Sequence, residues 1–376
     1  MHLLALLGAA LLPAAPPQAN RPDGLYAEIR TSKGVIVARL EPELAPLAVA
    51  NFVGLAEGSL ANAAFETGRP FYDGTVYHRV VPGHVIQTGM AHGGRANGPG
   101  YNFPNEIDAR LSHNHAGALN MANSGPNTNG SQFCITLADR SYLDGDFTVF
   151  GDVVEGLDVV MRIVQGDVVE TVRIVRVGAQ AQGFHPTTES FHLLLERAQQ
   201  RVTEQAEKKR EAEREWIAAN YPKASGPDGG VLTELLRAPA TEDKARLPAA
   251  GEDSPAATGL PLRVRYRGSE VRYVGDVGGR VGPPLAVVSF ASDSSGVPGF
   301  LDSPQWFTVE TGKNKLNPGL DRVIAGMQPG ERRVVIVPAA LGYGRAGLYP
   351  PETPGKKRFV ISPNALLVYD VEALAQ

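Results

Sequence analysis

The stretch Val76-Tyr-His-Arg-Val-Val-Pro-Gly-His-Val-Ile-Gln-Thr-Gly89 decides the reading of the N-terminal half. Two short β-type runs flank Pro82-Gly83, a turn dipeptide, so the segment reads as a hairpin. Such a hairpin can bring Arg79 and Gln87 to one face of a sheet. A second stretch, Gly117-Ala-Leu-Asn-Met-Ala-Asn-Ser-Gly-Pro-Asn-Thr-Asn-Gly-Ser-Gln-Phe-Cys-Ile-Thr136, puts ten polar or turn-forming residues between two short apolar strands. A loop of that kind holds its shape by side-chain-to-backbone hydrogen bonds.

Working outward, Tyr26 to Arg30 and Val35 to Leu40 alternate about Lys33-Gly34, a strand–turn–strand pattern. Residues 45–57 take helical spacing, with Pro46 early, where a helix tolerates it, and Leu47, Phe52, Val53 and Leu55 as its buried side. A second helix fits 155–165, and Val168 to Val177 alternates as a closing strand. Many short strands with few helices predict a closed β-barrel with a helix at each end, over residues 26–178.

Beyond it the composition changes. Residues 188–220 are free of Gly and Pro and rich in Glu, Lys, Arg, Gln and Ala. A continuous helix there is about 45–50 Å long. Leu195, Ala198, Val202, Ala212 and Trp216 form a stripe broken by Gln205 and Lys209, which fits either a solvated spacer or an arm for a homodimer. Residues 238–260, rich in Ala, Pro, Glu, Asp and Gly, read as a loop or insertion. β-type patterning then resumes at Leu262–Gly268, Ala286–Phe290, Arg332–Val337 and Leu366–Val371, with a short helix at Asp321–Met327 ended by Pro329-Gly330. This is a second, α+β domain, placed at 224–376.

The chain has 376 residues, 43% hydrophobic and 20% charged, enough for two cores. A net charge of −4 argues against nucleic acid as the main partner. Cys134 is the single cysteine, so neither an internal disulfide nor a multi-cysteine metal site is possible. Residues 1–19 carry an uncharged apolar run, Leu3 to Leu12, then Pro-Gln-Ala at 17–19. The run is too short to span a bilayer and has the length of a signal-peptide core, which predicts cleavage near Ala19 and export to the periplasm or medium. No other segment predicts membrane insertion. There is no carboxylate pair, Ser–His–Asp signal, phosphate loop or metal-ligand cluster; His113 and His115 alone are not a metal site. An arginine, a glutamine, a shaped Asn/Gly loop and apolar residues suit peptide binding and conformational catalysis better than bond cleavage.

Three separated motifs, Phe71 to Gly89, Met121 to Phe133 and Leu143-Asp-Gly-Asp-Phe-Thr-Val-Phe-Gly151, resemble the cyclophilin peptidyl-prolyl isomerases. The resemblance implies an eight-stranded barrel capped by two helices. It also implies roles. Arg79 takes the catalytic arginine position and Gln87 the position that binds the substrate backbone. Ala122 and Asn123 line the groove, the latter through its backbone, with Gln132 beside them. Phe133, counted among the substrate-binding residues, precedes the position of the proline-pocket phenylalanine, where Cys134 stands, and Leu143 is a pocket wall. His84 replaces another pocket aromatic, Val85 a methionine, Tyr142 a tryptophan and Phe147 a histidine. These replacements imply a wider proline pocket.

In the second domain, Leu316 to Gly344 and Phe359 to Glu372 resemble the central block and closing strand of an FKBP-type isomerase, a sheet wrapped on a short helix. Ser225–Leu232 is a candidate first strand; either Val264–Gly268 or Val287–Phe290 is the second. By resemblance Tyr343 meets the substrate carbonyl, Val360 and Ile361 are flap contacts, Tyr369 and Phe307 are pocket aromatics, and Leu316 and Asn317 form the rim. Tyr266 and either Asp293 or Asp302 complete the pocket, and Leu320 replaces the usual floor tryptophan. The whole is mainly β with α. The implied function is cofactor-free isomerisation of X–Pro bonds in unfolded or extended polypeptides; the alternative is a non-catalytic chaperone or scaffold.

Overall fold

The computed structural model describes residues 21–227, 230–238, 262–273, 284–292, 298–299, 303–309, 316–344, 347–348, 361–362 and 364–374. Residues 1–19, where a signal peptide is expected, most of the 238–260 stretch, Asp293, Asp302 and Val360 lie outside these residues.

The first domain is one antiparallel sheet of eight strands: β1 Gly24–Thr31, β2 Gly34–Leu40, β3 Arg79–Val81, β4 Val85–Thr88, β5 Ala118–Met121, β6 Phe133–Thr136, β7 Val149–Glu155 and β8 Val169–Val177. Their order across the sheet is β3-β4-β6-β5-β7-β2-β1-β8. The two ends meet through a bridge between Val76 and Val168, which curls the sheet round on itself. Strand alternation sends Leu25, Ala27, Ile29, Ile86, Leu119, Met121, Phe133 and Ile135 inward. Phe52 fills the centre, 5.1 Å from Tyr72 and 5.3 Å from Phe133 between ring centroids.

Two helices cover the ends, α1 Pro46–Glu57 and α2 Leu157–Arg162. Pro46 opens α1, and Gly58 closes it at a φ of 73° that favours glycine. Ala45 has no side chain to cap the first turn. Glu106 does so from a distant loop, accepting the Ala48 N–H at 2.9 Å. α2 is shorter than the sequence predicts, because Gly156 takes a left-handed conformation before it and Ile163 is already extended.

After a short turn of helix, α3 Ala179–Gln182, the long helix α4 runs Thr188–Asn220. Thr187 and Ser190 form a reciprocal capping box at its start. Both of its apolar ends are used inside the chain. Phe191 and Ala198 are buried in the first core, Phe191 lying 5.2 Å from the Tyr101 ring. Trp216 and Ile217 pack on the second sheet. The helix is therefore a spacer anchored at both ends, with a polar and largely solvated middle.

The second sheet comprises β9 Leu232–Arg237, β10 Arg263–Tyr273, β11 Pro284–Ser292, β12 Pro298–Gly299, β13 Phe307–Thr308, β14 Arg332–Val337 and β15 Leu366–Ala373, with helix α5 at Pro318–Ala325. The order is β12-β11-β10-β15-β14-β9, with β13 paired to β10. Both candidates for the second strand are strands, neighbours in the sheet. α5 starts three residues earlier than predicted, since Asn317 caps it and Pro318 supplies the first helical position. One face of the sheet packs on α5 through Tyr266, Val335, Val337, Leu367 and Tyr369. The opposite face, with Val271, Val334, Ile336, Leu366 and Val368, lies under the end of α4.

Candidate active site

On the outer face of the first sheet, register aligns a row of polar side chains. Arg79 on β3 pairs with Gln87 on β4, Gln87 with Cys134 on β6, and Cys134 with Asn120 on β5. The Arg79 guanidinium donates to Gln87 Oε1 at 3.3 Å, and Gln87 Nε2 donates to Gln132 Oε1 at 2.9 Å. Arg79 is exposed and Gln87 half-buried, so the row opens to solvent. Gly89, just past β4, has φ 89°; a Cβ there would sit 2.5 Å from the Ser131 carbonyl oxygen, so only glycine lets the strand meet the loop.

The Asn/Gly loop is pinned as its composition predicts. Asn123 Nδ2 donates to the Asp146 carbonyl at 2.9 Å, and its Oδ1 accepts the Gly125 N–H at 3.2 Å. Thr128 Oγ1 accepts the Ser124 N–H and donates to the Gly125 carbonyl. The Ala122 N–H donates to the Gln132 carbonyl at 2.9 Å, tying the loop to the row. Ala122 and Asn123 are half-buried beside it.

The far wall is the turn at 140–148. The Tyr142 ring stacks on His84 with centroids 6.2 Å apart and planes 17° apart, and its hydroxyl lies 3.4 Å from His84 Nδ1. Leu143 and Val85 are buried beneath, and Phe147 meets the His113 ring edge-on at 6.5 Å. The Arg140 side chain reaches the Gly83 carbonyl, linking this turn to the β3–β4 hairpin. Burial pushes the Cys134 thiol pKa up to about 12, against a smaller opposing pull from Arg79, so it stays protonated and is no nucleophile.

Two residues expected near substrate belong elsewhere. Phe133 faces the core, edge-on to Phe52 and Tyr72. The two-residue period of a strand requires this once Cys134 faces out. Asn317, expected on the rim of the second site, is only 2% exposed. Its Oδ1 accepts the Leu320 N–H at 2.9 Å as the α5 cap, and its Nδ2 donates to the Tyr369 hydroxyl at 2.7 Å.

The rest of the second site is drawn together but closed. Tyr369 lies 5.3 Å from Tyr266 and 5.5 Å from Phe290, and Phe307 lies 6.1 Å from Tyr266. Leu320, Ile361 and Tyr369 have no exposed surface. Leu316 is half-buried. The Tyr343 hydroxyl is buried with no hydrogen bond of good geometry among the described residues, the nearby Asn317 amide donating to Tyr369 instead; burial pushes the Tyr343 pKa up to about 12, and the proximity of Asn317 offsets this only slightly. A cavity of about 420 Å³ lined by Arg237, Trp306, Gly330, Glu372 and Leu374 shares none of the expected site residues.

Among the described residues no group of three His, Cys, Asp or Glu side chains is placed to hold a metal, and no helix is long and apolar enough to cross a membrane. The sequence reading missed Asn120, which completes the row. Its signal was present: it lies on the strand leading into the Asn/Gly loop, with the parity that puts it beside Cys134.

A curled eight-stranded sheet carrying an arginine, a glutamine and an Asn/Gly loop on its outer face is matched by the profile for cyclophilin type peptidyl-prolyl cis-trans isomerases, over residues 26–179. The profile for FKBP-type peptidyl-prolyl cis-trans isomerases matches residues 289–374. The peptidyl-prolyl cis-trans isomerase B of Streptomyces anulatus is 45% identical over 135 residues, 35% of this chain and 77% of that protein. The peptidyl-prolyl cis-trans isomerase of Helicobacter pylori is 40% identical over 149 residues, 39% of this chain and 85% of that protein. Among solved structures, a cyclophilin type isomerase of Cryptosporidium parvum in the presence of the dipeptide Ala-Pro covers 41% of this chain and 99% of its own, at 25% identity and a TM-score of 0.34. The chain belongs to the cyclophilin-type peptidyl-prolyl cis-trans isomerase family and carries an FKBP-type domain behind it. Its activity is peptidyl-prolyl cis-trans isomerisation.

Proposed function

We propose that catalysis resides in the first domain, with Arg79 as the catalytic residue, and that the second domain grips client chains. The barrier to rotation about a peptide bond is about 18–20 kcal/mol. At the twisted transition state amide resonance is lost and the proline nitrogen regains its lone pair. Arg79 can donate to that nitrogen only then, so it favours the transition state over both ground states. A charge-assisted hydrogen bond of about 1.5–3 kcal/mol corresponds to roughly 10- to 150-fold in rate. Gln87 holds the guanidinium and, with Asn123, Ala122 and Gln132, the substrate backbone. Val85, Leu143, Phe147 and the His84–Tyr142 pair enclose the proline ring, with Cys134 leaving it more room than an aromatic would.

The observation that carries this reading is the Arg79–Gln87–Gln132 line, exposed at Arg79 and half-buried at the two glutamines. The aromatic cluster around Tyr369 is buried, which supports placing catalysis in the first domain. We further infer that the clients are exported, proline-containing chains in extended form, from the apolar run at Leu3–Leu12. Tethering would let a weak contact on the second domain raise the effective concentration of a client at the first. Any self-association through α4 would use its polar middle.

The test is cis–trans exchange spectroscopy on a short X–Pro peptide, comparing the whole chain with its Arg79→Ala variant. We expect a loss of about 10- to 150-fold in kcat/KM. Equal activity would move catalysis to the second domain, and no activity in either would leave a binding protein. N-terminal sequencing of the secreted product, expected to begin after Ala19, tests export.

A further inference from the structure

Behind the Tyr142–Leu143 wall lies a buried histidine that the reaction itself does not use. His113 has no exposed surface. Its Nδ1 is 2.6 Å from Asp144 Oδ1, and its own N–H donates to the same oxygen at 2.8 Å. Asp144 Oδ2 accepts Ser112 Oγ–H at 2.7 Å. At the other end of the turn the Arg140 N–H donates to the His113 carbonyl at 2.6 Å. His113 thus clasps both ends of the segment that carries Tyr142 and Leu143. Its Nε2 faces Asn120 Nδ2 at 2.9 Å, and Asn120 is the strand partner of Cys134. One chain of contacts therefore runs from the wall to the Arg79 row.

We propose that neutral His113 is a positioning residue of the isomerase groove, fixing the Tyr142–Leu143 wall through Asp144 and joining it to the Arg79 row through Asn120. The inference rests on the placement of catalysis in the first domain. The hydrogen bonds define the tautomer: a carboxylate at Nδ1 requires the proton there, and an amide N–H at Nε2 requires a bare nitrogen. Protonation sets two donors face to face. Relief requires Asn120 to turn its amide and present Oδ1, the buried oxygen that has no partner among the described residues in the neutral arrangement. Asn120 is thus an element with two positions, and turning it disturbs the floor beside Cys134.

Burial lowers the pKa of His113, opposed by Asp144 and more weakly by Asp152, while His115 adds to the lowering; Ser112, Phe147 and Asn120 are uncharged, and Arg140, bonded to His113 through its backbone, sends its guanidinium to the Gly83 carbonyl. The neutral form therefore holds at neutral pH. A depressed native value places the change in one window. The neutral arrangement is intact above the ordinary histidine value of about 6.5 and is lost as pH falls through the native value.

Steady-state exchange measurements on an Ala-Pro peptide, with the whole chain and its His113→Asn variant at pH 7.5 and 5.0, test this. In the unaltered chain KM should rise about 3- to 10-fold at the pH where ¹⁵N spectra show His113 protonated, lowered below 5.0 if needed, the worth of one neutral hydrogen bond, with kcat within about two-fold. His113→Asn should show the raised KM at both pH values. A KM that still responds to pH in the variant, which retains His84, overturns the proposal, as does a fall in kcat at constant KM. Should the variant fail to fold, ¹⁵N spectra of the unaltered chain decide: an Nδ1–H neutral imidazole that shifts when peptide fills the groove supports the proposal, and an Nε2–H or charged ring at pH 7.5 refutes it. Arg79→Ala, run alongside, separates the two readings. If it retains full turnover the catalytic assignment fails, whereas peptide affinity still reports on His113.

Discussion

The two isomerase-type domains treat their polar side chains in opposite ways. In the first, Arg79, Gln87 and Gln132 sit on the outward face of a closed sheet, and the core behind them is complete without them. In the second, Asn317, Tyr369 and Tyr343 lie inside the core between sheet and helix. A side chain that satisfies the fold is held by it. A side chain the fold does not need is free to meet a substrate. On the proposed reading, catalysis falls in the first domain because its core can spare these side chains.

The largest effect on this comparison should come from Leu320→Ala. Leu320 is fully buried under the second sheet, so its truncation should cost about 2–5 kcal/mol of that domain's stability in urea unfolding. X–Pro exchange by the first domain should persist at denaturant concentrations where the second has unfolded; joint loss would show that α4 couples the two. Next is Arg79→Ala, worth about 1.5–3 kcal/mol in the barrier and nothing in stability. A change in its unfolding midpoint would mean that the arginine is structural. Asn317→Ala leaves the Tyr369 hydroxyl and the Leu320 N–H without their partner, and thermal unfolding should register about 1–3 kcal/mol. Little change in exchange is expected. The smallest effect belongs to Tyr343→Phe, which deletes a buried hydroxyl that makes no hydrogen bond of good geometry among the described residues. Isomerisation should change by less than about two-fold, and stability should be equal or slightly higher. A ten-fold loss would return catalysis to the second domain.

Much of the first domain was legible because its signals are local. Alternation about Lys33-Gly34, Pro46 at a helix start and Pro82-Gly83 between two β runs each read within a few residues. The pairing of Arg79 with Gln87 followed from one hairpin. Phe133 was misplaced because resemblance named a neighbourhood, whereas strand parity decides a face. Asn317 was misplaced because an asparagine before Pro-Gly serves equally as a rim contact or a helix cap, and only the position of Tyr369, 52 residues away, selects the cap. The α4 stripe has the same ambiguity. Leu195, Ala198 and Trp216 mark apolar positions, and nothing in their spacing says what covers them.

The sequence by itself determined two β-rich domains, the long helix between them, and the set of residue types from which a proline-binding groove is made. These depend on backbone propensity, turn chemistry and periodicity, which act over a few residues. The tertiary structure alone decided which polar groups are spent on folding. It closed Tyr369 and Leu320 into a core, fixed α4 at both ends, and set His113 against Asp144 and Asn120. Burial and hydrogen-bond partnership are properties of contacts between distant segments, and those contacts exist only once the chain has packed.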